Sequence, residues 1–281
     1  TALAEVCLES ALALARREVL DRAGLPPALP AGGLAVLGMG KLGSAELSYA
    51  SDLDLIFIYD PGGPEWWAGR AVPHEVFTRI AQRAISALQT PTREGIAYRI
   101  DTRLRPSGNQ GPLVSSLEAF AAYHRESARL WERQALVKAR VLLAPTALAA
   151  TLGEIVTRFV YGRGLTAEEA AEIARVRERI ERERGGGAGD TVHIKTGRGG
   201  LVDVEFLVQT LQLRHGHGHP RLRTRVTHEA LEELAAAGLL AAADARTLAE
   251  GYAFLRALEN RLRLERDQPV EAIDDDPEAL L

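Results

Sequence analysis

The chain has 281 residues, of which 46% are hydrophobic and 26% charged, with a formal net charge of −4. This composition is typical of a globular protein of about two domains, and the negative charge argues against a broad electrostatic surface for nucleic acid. The single cysteine, Cys7, excludes a disulfide framework and a cysteine zinc cluster. No apolar run reaches the ~20 residues that span a bilayer, and the chain starts without a basic signal region. We therefore expect a cytoplasmic enzyme without nucleic-acid or membrane partners.

The order of predicted elements divides the chain into two halves. Apolar spacing in the first half predicts helices and strands over 1–23 (helix), 34–37 (strand), 52–59 (strand), 75–88 (helix) and 96–104 (strand). After residue 116 almost every pattern is helical, covering 117–140 (as one helix or two), 147–160, 166–184, 201–214, 227–237 and 241–266. Residues 185–190 form a glycine-rich break, and Trp131 is predicted to lie in the core. We expect an α+β domain over 1–145 and an all-α domain over 146–281, with the boundary near Pro145.

A glycine-rich turn follows the first predicted strand. Its sequence, GMGKLGS, places Gly38, Gly40 and Gly43 within six residues. Glycine tolerates unusual backbone dihedrals and close backbone approach, so we expect a tight turn. We further expect Gly43 and Ser44 to open a short helix whose free N–H groups bind phosphate. The turn lacks the G-x-x-x-x-G-K-[ST] pattern of a Walker A loop, and no clean βαβ continuation follows it.

Two aspartates precede an apolar strand. Asp52 and Asp54 are two positions apart, so on a strand they project from the same face, roughly 6.6 Å apart along the backbone. Two carboxylates at this spacing suit a pair of Mg²⁺ ions separated by ~3.5–4 Å. A lone Asp-x-Asp is typical of turns and strand edges. The glycine turn upstream and the buried strand downstream favour the metal site.

A third carboxylate is expected on a neighbouring strand. In IAYRIDTRLRP, Asp101 shares a face with Arg99 and Arg103. This pattern alone fits a surface Asp–Arg ladder equally well. Together with Asp52 and Asp54 it fits a three-carboxylate site for in-line nucleotidyl transfer, in which Asp101 binds the metal on the nucleophile side and helps to take the proton.

Five segments together resemble one known family. They are GMGKLGSAELSYASDLDLIF (38–57), FTRIAQRAISALQTPTREG (77–95), DTRLRPSGNQGPLVSSLEAF (101–120), WERQALVKAR (131–140) and IKTGRGGLVDVEFLVQ (194–209). The chain resembles the glutamine synthetase adenylyltransferases, multifunctional enzymes of nitrogen regulation. The resemblance implies a polymerase-β-type nucleotidyltransferase domain followed by a helical domain.

The resemblance also implies substrates, partners and residue roles. Members carry two such halves: one transfers AMP from ATP to a tyrosine of glutamine synthetase, the other removes it by phosphorolysis, and PII signalling proteins and glutamine select between them. Asp52, Asp54 and Asp101 would be the metal ligands for two Mg²⁺ ions. The predicted nucleotide-binding residues are Lys41, Gly43, Ser44, Arg103 and Arg105. For the two arginines, salt bridges that fix the strand end are an equal alternative.

The choice between the two halves depends on small features. PTREG and Ser107 resemble the adenylylating half, whereas GMGKLG and LRALENRLR (255–263) are closer to the removing half. We favour the transferase and keep the removing activity as the alternative. A non-catalytic docking or regulatory module is the alternative of another class, and the three aspartates argue against it.

Overall fold

The computed structural model describes residues 1–27, 32–184, 192–266 and 272–273; the glycine-rich break predicted at 185–190 lies outside this range. The chain forms two compact units. The first comprises Thr1–Leu47 and Ser51–Phe159, and the second comprises Ser48–Ala50 and the residues from Val160 onward. The domain boundary near Pro145 stays a prediction.

The first unit combines a small mixed sheet with helices. Its strands are β1 (Gly33–Gly38), β2 (Leu53–Asp60), β3 (Ile100–Asp101), β4 (Val114–Ser116) and β5 (Arg140–Leu143). Its helices are α1 (Ala2–Arg22), α2 (Gly40–Gly43), α3 (Pro64–Trp67), α4 (Pro73–Gln89), α5 (Leu117–Glu126), α6 (Leu130–Ala135) and α7 (Thr146–Tyr161), the last of which runs to the start of the second unit.

The sheet has the strand order β3-β2-β1-β5, and β4 also pairs with β2, further along it than β3. β1 pairs antiparallel with both β2 and β5, whereas β3 and β4 run parallel to β2. In the β2–β3 register Leu53 pairs with Ile100 and Asp54 with Asp101. The topology therefore places two of the predicted acidic residues on adjacent strands.

The core of this unit lies where α1 and α4 meet one face of the sheet. Leu55 and Phe57, two positions apart on β2, belong to the same buried cluster as Leu8 of α1 and Phe77 of α4. Each such side chain contributes about 1.5–3 kcal/mol by leaving water. The strand period of two thus places these side chains on the core face of β2, whereas Asp54 near its start is half-buried.

The helical pattern over 117–140 forms two helices, α5 and α6, which is the second of the two alternatives, and a short 3₁₀ turn follows before β5. Two other predictions in this unit are wrong. The strand predicted over 96–104 shrinks to β3. Trp131 is 41% exposed, because the six-residue α6 buries its polar residues Glu132 and Gln134 instead.

The second unit is helical in the part that the structure describes. Its helices are α8 (Ala167–Arg184), α9 (Leu201–His215), α10 (Thr227–Ala236) and α11 (Ala242–Arg266). Val204 and Val208 of α9, Leu231 of α10 and Tyr252 of α11 share one buried cluster. Gly238 links α10 to α11 with a φ of 69°, a backbone conformation that glycine adopts without steric cost. No helix in the described ranges has both the length and the apolarity to cross a membrane.

Candidate functional site

The turn between β1 and α2 lies against the carboxylate of Asp54. Gly40 has a φ of 51°, and a Cβ at this position would lie 2.7 Å from Asp54 Oδ2. The backbone N–H of Met39 donates to the carbonyl oxygen of Asp54 over 2.9 Å. Gly40 was not among the predicted site residues. The sequence signal that could have identified Gly40 is its spacing, two positions after Gly38 at the point where the chain leaves β1.

The start of β2 brings the acidic residues together along the backbone. Asp54 is half-buried and pairs in register with Asp101 on the parallel strand β3. Neighbouring strands lie about 4.7–4.9 Å apart, and paired residues of parallel strands project from the same face. Asp52 is exposed and comes just before β2, which begins at Leu53 rather than at Asp52.

A guanidinium group faces these carboxylates. Arg103 Nη2 lies 2.5 Å from Asp101 Oδ2, and the Arg103 backbone N–H donates to Asp101 Oδ1 over 2.8 Å. The Arg103 side-chain hydrogen bonds hold the pKa of Asp101 below its usual range. The pKa of Arg103 is raised, first by its hydrogen bond to Asp101 and further by the charges of Asp54 and Asp52. The Arg103 guanidinium therefore interacts electrostatically with all three carboxylates.

The carboxylates do not form a ready three-ligand cluster. Among the residues that the structure describes, no group of three His, Cys, Asp or Glu side chains lies close enough to hold a metal ion. The oxygens of Asp101 are instead hydrogen-bonded to Arg103. Carboxylate oxygens at neighbouring strand positions are nevertheless the donors that Mg²⁺ prefers, so these residues fit a divalent cation.

The short helix α2 begins at Gly40 and ends at Gly43, so the prediction that a helix opens at Gly43 is wrong. The N–H groups of Gly43 and Ser44 donate to Met39 O and Gly40 O, and the Ser44 hydroxyl, on a residue only 1% exposed, donates to Gly40 O over 3.2 Å. A Cβ on Gly43 would lie 1.9 Å from the carbonyl oxygen of Lys138. Gly43 and Ser44 thus pack the turn. Their contact with a triphosphate, like that of Lys41, stays a prediction.

The second arginine of the motif is bound to its own loop. Arg105 Nη1 donates to Thr102 O over 2.9 Å and to Thr102 Oγ1 over 3.0 Å, and its Nε donates to Pro112 O over 3.1 Å. These bonds close the loop after β3. They favour the alternative in which Arg105 fixes the strand end, and its phosphate contact stays a prediction.

A buried ion pair beside α2 was given no role from the sequence. Lys138 Nζ lies 3.6 Å from Glu46 Oε2, and the side chains are 7% and 15% exposed. The chain holds only three lysines, Lys41, Lys138 and Lys195, among abundant arginines. This scarcity of lysine could have drawn attention to Lys138, because most other basic positions in the chain are arginine.

These observations define a mixed α+β protein with an acidic site next to a glycine turn. Residues 1–154 match the family model of glutamate-ammonia ligase adenylyltransferase, and residues 167–280 match that of GlnD PII-uridylyltransferase. The chain belongs to the glutamate-ammonia ligase adenylyltransferase family, which confirms the resemblance found in the sequence.

Curated relatives align with almost the whole chain. Each is named a bifunctional glutamine synthetase adenylyltransferase/adenylyl-removing enzyme. The protein from Hahella chejuensis is 39% identical over 98% of this chain and 29% of its own length. The protein from Burkholderia mallei is 39% identical over 99% of this chain and 31% of its own length. The protein from Nitrosococcus oceani is 40% identical over 94% of this chain and 28% of its own length. The chain thus spans less than a third of the relatives that it matches.

Proposed function

We propose that this chain transfers AMP from ATP to a tyrosine hydroxyl of glutamine synthetase in a Mg²⁺-dependent reaction. The observation that carries the proposal is the register of Asp54 with Asp101 beside the Gly40 turn. Family membership and the names of the relatives support adenylyl transfer and glutamine synthetase as the protein substrate. Asp52, Asp54 and Asp101 would hold up to two ions, which neutralise the triphosphate and lower the pKa of the attacking hydroxyl.

The transfer forms one bond and breaks one. The tyrosine oxygen attacks the α-phosphorus of ATP, the bond between the α-phosphorus and the bridging oxygen breaks, and pyrophosphate leaves. Because Arg103 holds the pKa of Asp101 low, that carboxylate stays ionised and orients the hydroxyl by accepting its hydrogen bond. As a weak base it passes the proton on to solvent. The exposed Arg103 and the half-buried Lys41 supply positive charge for the phosphates.

The finer architecture and the setting belong to the same proposal. We take residues 1–145 as a polymerase-β-type nucleotidyltransferase domain and 146–281 as a helical domain. The small mixed sheet and the acidic pair on β2 and β3 support the first assignment, and helices α8–α11 support the second. The protein would act in the cytoplasm, and PII signalling proteins would regulate it through the full-length enzyme.

The removing activity is the second candidate. In that reaction an oxygen of inorganic phosphate attacks the phosphorus of adenylyl-tyrosine, which yields ADP and the free tyrosine. The relatives' names include both activities, and GMGKLG and LRALENRLR favour this half. Supplying adenylylated glutamine synthetase with phosphate, and unmodified synthetase with ATP, in parallel separates the two. ADP in the first reaction alone would replace our assignment with the removing activity.

The decisive variant is Asp54→Asn. It keeps the shape of the side chain but removes a carboxylate, and we expect AMP transfer to fall by at least about a hundredfold while the fold survives. Asp60→Asn is the matched control, since Asp60 lies at the opposite end of β2 and its carboxylate accepts from the Gly62 N–H. Transfer of radiolabelled AMP to glutamine synthetase measures the activity, and circular dichroism checks the fold. Full activity in Asp54→Asn would refute the assignment.

A further inference from the structure

Helix α11 carries a buried ionic cluster in the second unit. Glu259 is fully buried, with 0% of its surface exposed. Its Oε2 accepts from Arg256 Nη1 over 2.7 Å, and its Oε1 accepts from Arg263 Nη2 over 2.9 Å. These side chains lie three and four positions from Glu259, the spacing of ordinary exposed ladders on a helix. The burial sets this cluster apart, because a carboxylate without water must be paired.

The cluster also holds a distant part of the chain. The Ser48 hydroxyl donates to Glu259 Oε2 over 3.0 Å and accepts from Arg256 Nη1 over 2.6 Å. Arg263 Nη1 donates to the Tyr49 carbonyl oxygen over 2.9 Å. Through these three bonds Ser48–Ala50 are part of the second unit, whereas the residues before and after them belong to the first unit. The segment lies between Ser44 and Asp52, within the signature that carries the acids.

The buried ion pairs are expected to add little net stability, and the segment that they hold is strained at Ala50. Buried ion pairs are weak contributors to stability, since desolvation offsets their attraction, and apolar replacements often do as well. Ala50, next to the held Tyr49, has a φ of 50°, a left-handed conformation that is strained for an alanine. Strained backbone of this kind persists where its surroundings over-determine it. The hydrogen bonds from α11 supply that constraint.

We propose that Glu259 is a positioning residue of the acidic site. Through Ser48 and Tyr49 it fixes the segment that leads into β2, and so it sets the position of Asp52 and Asp54. The role of those acids in metal binding rests on the proposed function, whereas the contacts of Glu259 do not. LRALENRLR thereby gains a physical role, since Glu259 and Arg263 both belong to it.

Two variants test the proposal without activity as the readout. Glu259→Gln removes the charge, and Ser48→Ala removes only the hydroxyl and keeps the ion pairs intact. The matched control is Glu265→Gln on the same helix, where Glu265 pairs with Arg261 in an exposed bridge. Hydrogen–deuterium exchange of a peptide covering 45–52 reports on the segment, and Mn²⁺ binding followed by electron paramagnetic resonance reports on the acids. All measurements stay well below the unfolding temperature of each variant.

We expect about tenfold faster exchange over 45–52 and about tenfold weaker Mn²⁺ binding in Glu259→Gln, because a hydrogen bond to a charged group is lost. Ser48→Ala should show the same two changes with smaller size, and Glu265→Gln neither. Unchanged exchange, or faster exchange with unchanged Mn²⁺ affinity in both variants, overturns the positioning role. Mn²⁺ binding to Asp54→Asn distinguishes a failure of the positioning role from a failure of the proposed function. If the wild-type protein binds no Mn²⁺, or binds it as tightly as Asp54→Asn does, the metal site itself is refuted and the positioning role falls with it.

Discussion

Gly40 shows at the residue scale how a single missing Cβ shapes the site. Because Gly40 has a φ of 51° and a Cβ there would lie 2.7 Å from Asp54 Oδ2, Gly40→Ala meets both backbone strain and a carboxylate. We expect a loss of about 1–2 kcal/mol in the free energy of unfolding from the left-handed backbone alone. Displacement of Asp54 should also weaken Mn²⁺ binding. Urea denaturation and Mn²⁺ titration measure the two effects.

Gly153→Ala is the matched control for this substitution. Gly153 lies within α7, and among the residues that the structure describes a Cβ there would meet nothing within 4 Å. Replacing a glycine in a helix interior should stabilise the protein by about 0.5–1 kcal/mol without changing Mn²⁺ affinity. Equal behaviour of the two variants would show that the Gly40 turn has no special relation to Asp54.

A residue can be predicted from sequence when its role depends on residues close to it in the chain. Asp52 and Asp54 could be predicted as site residues because strand periodicity and the apolar residues after them are local signals, and their role stays a prediction. Glu259 could not, since Arg and Glu at helical spacing also describe a solvated face. Its burial and the approach of Ser48, 211 positions earlier in the chain, distinguish the two.

At the scale of elements, α5 packs through a buried histidine. His124 is 6% exposed, its Nδ1 lies 2.8 Å from Phe120 O, and its ring centroid is 4.8 Å from that of Phe159 on α7. Burial lowers the pKa of His124, while the hydrogen bond to Phe120 and the charge of Glu132 act in the opposite direction. The folded state thus favours the neutral ring.

This burial predicts a pH dependence of stability. The unfolded chain binds a proton at His124 more readily than the folded chain does, so stability is lost as pH falls below the usual histidine pKa of about 6.5. One such group adds at most about 1.4 kcal/mol per pH unit to the slope. Urea denaturation between pH 5 and 8 should show a shallower acid loss in His124→Phe, which keeps an aromatic ring between Phe120 and Phe159. Identical slopes in the two proteins would contradict the prediction.

Element length decides which elements the sequence reveals. Helix α4 and strand β2 were predicted to within two residues, since each repeats its apolar period several times. Strands β4 and β5 have three and four residues, too few for a period to show, and β5 lies between the helical patterns over 117–140 and 147–160. Their place in the sheet comes from pairing with β2 and β1, which are distant in sequence.

At the scale of the whole molecule, the two family matches divide where the structure does. The adenylyltransferase match ends at residue 154 and the uridylyltransferase match begins at 167, on either side of the division after Phe159. The change from mixed to helical patterns predicts two domains, and their boundary near Pro145 stays a prediction. The sequence held no signal that Ser48–Ala50 belong with the second part, since three residues carry no pattern of their own.

The positions of the predicted site residues in the chain predict which peptides nucleotide binding will protect from hydrogen–deuterium exchange. If ATP and Mg²⁺ bind beside the acids, hydrogen–deuterium exchange should slow in peptides covering 39–44 and 101–111, because ligand contacts suppress local opening. Peptides from α10, which carries none of the predicted site residues, should be unchanged. ATP with a chelator and the Asp54→Asn variant provide the controls, and both should lose the protection. Protection confined to α8–α11, or none at all, would instead favour a non-catalytic docking module.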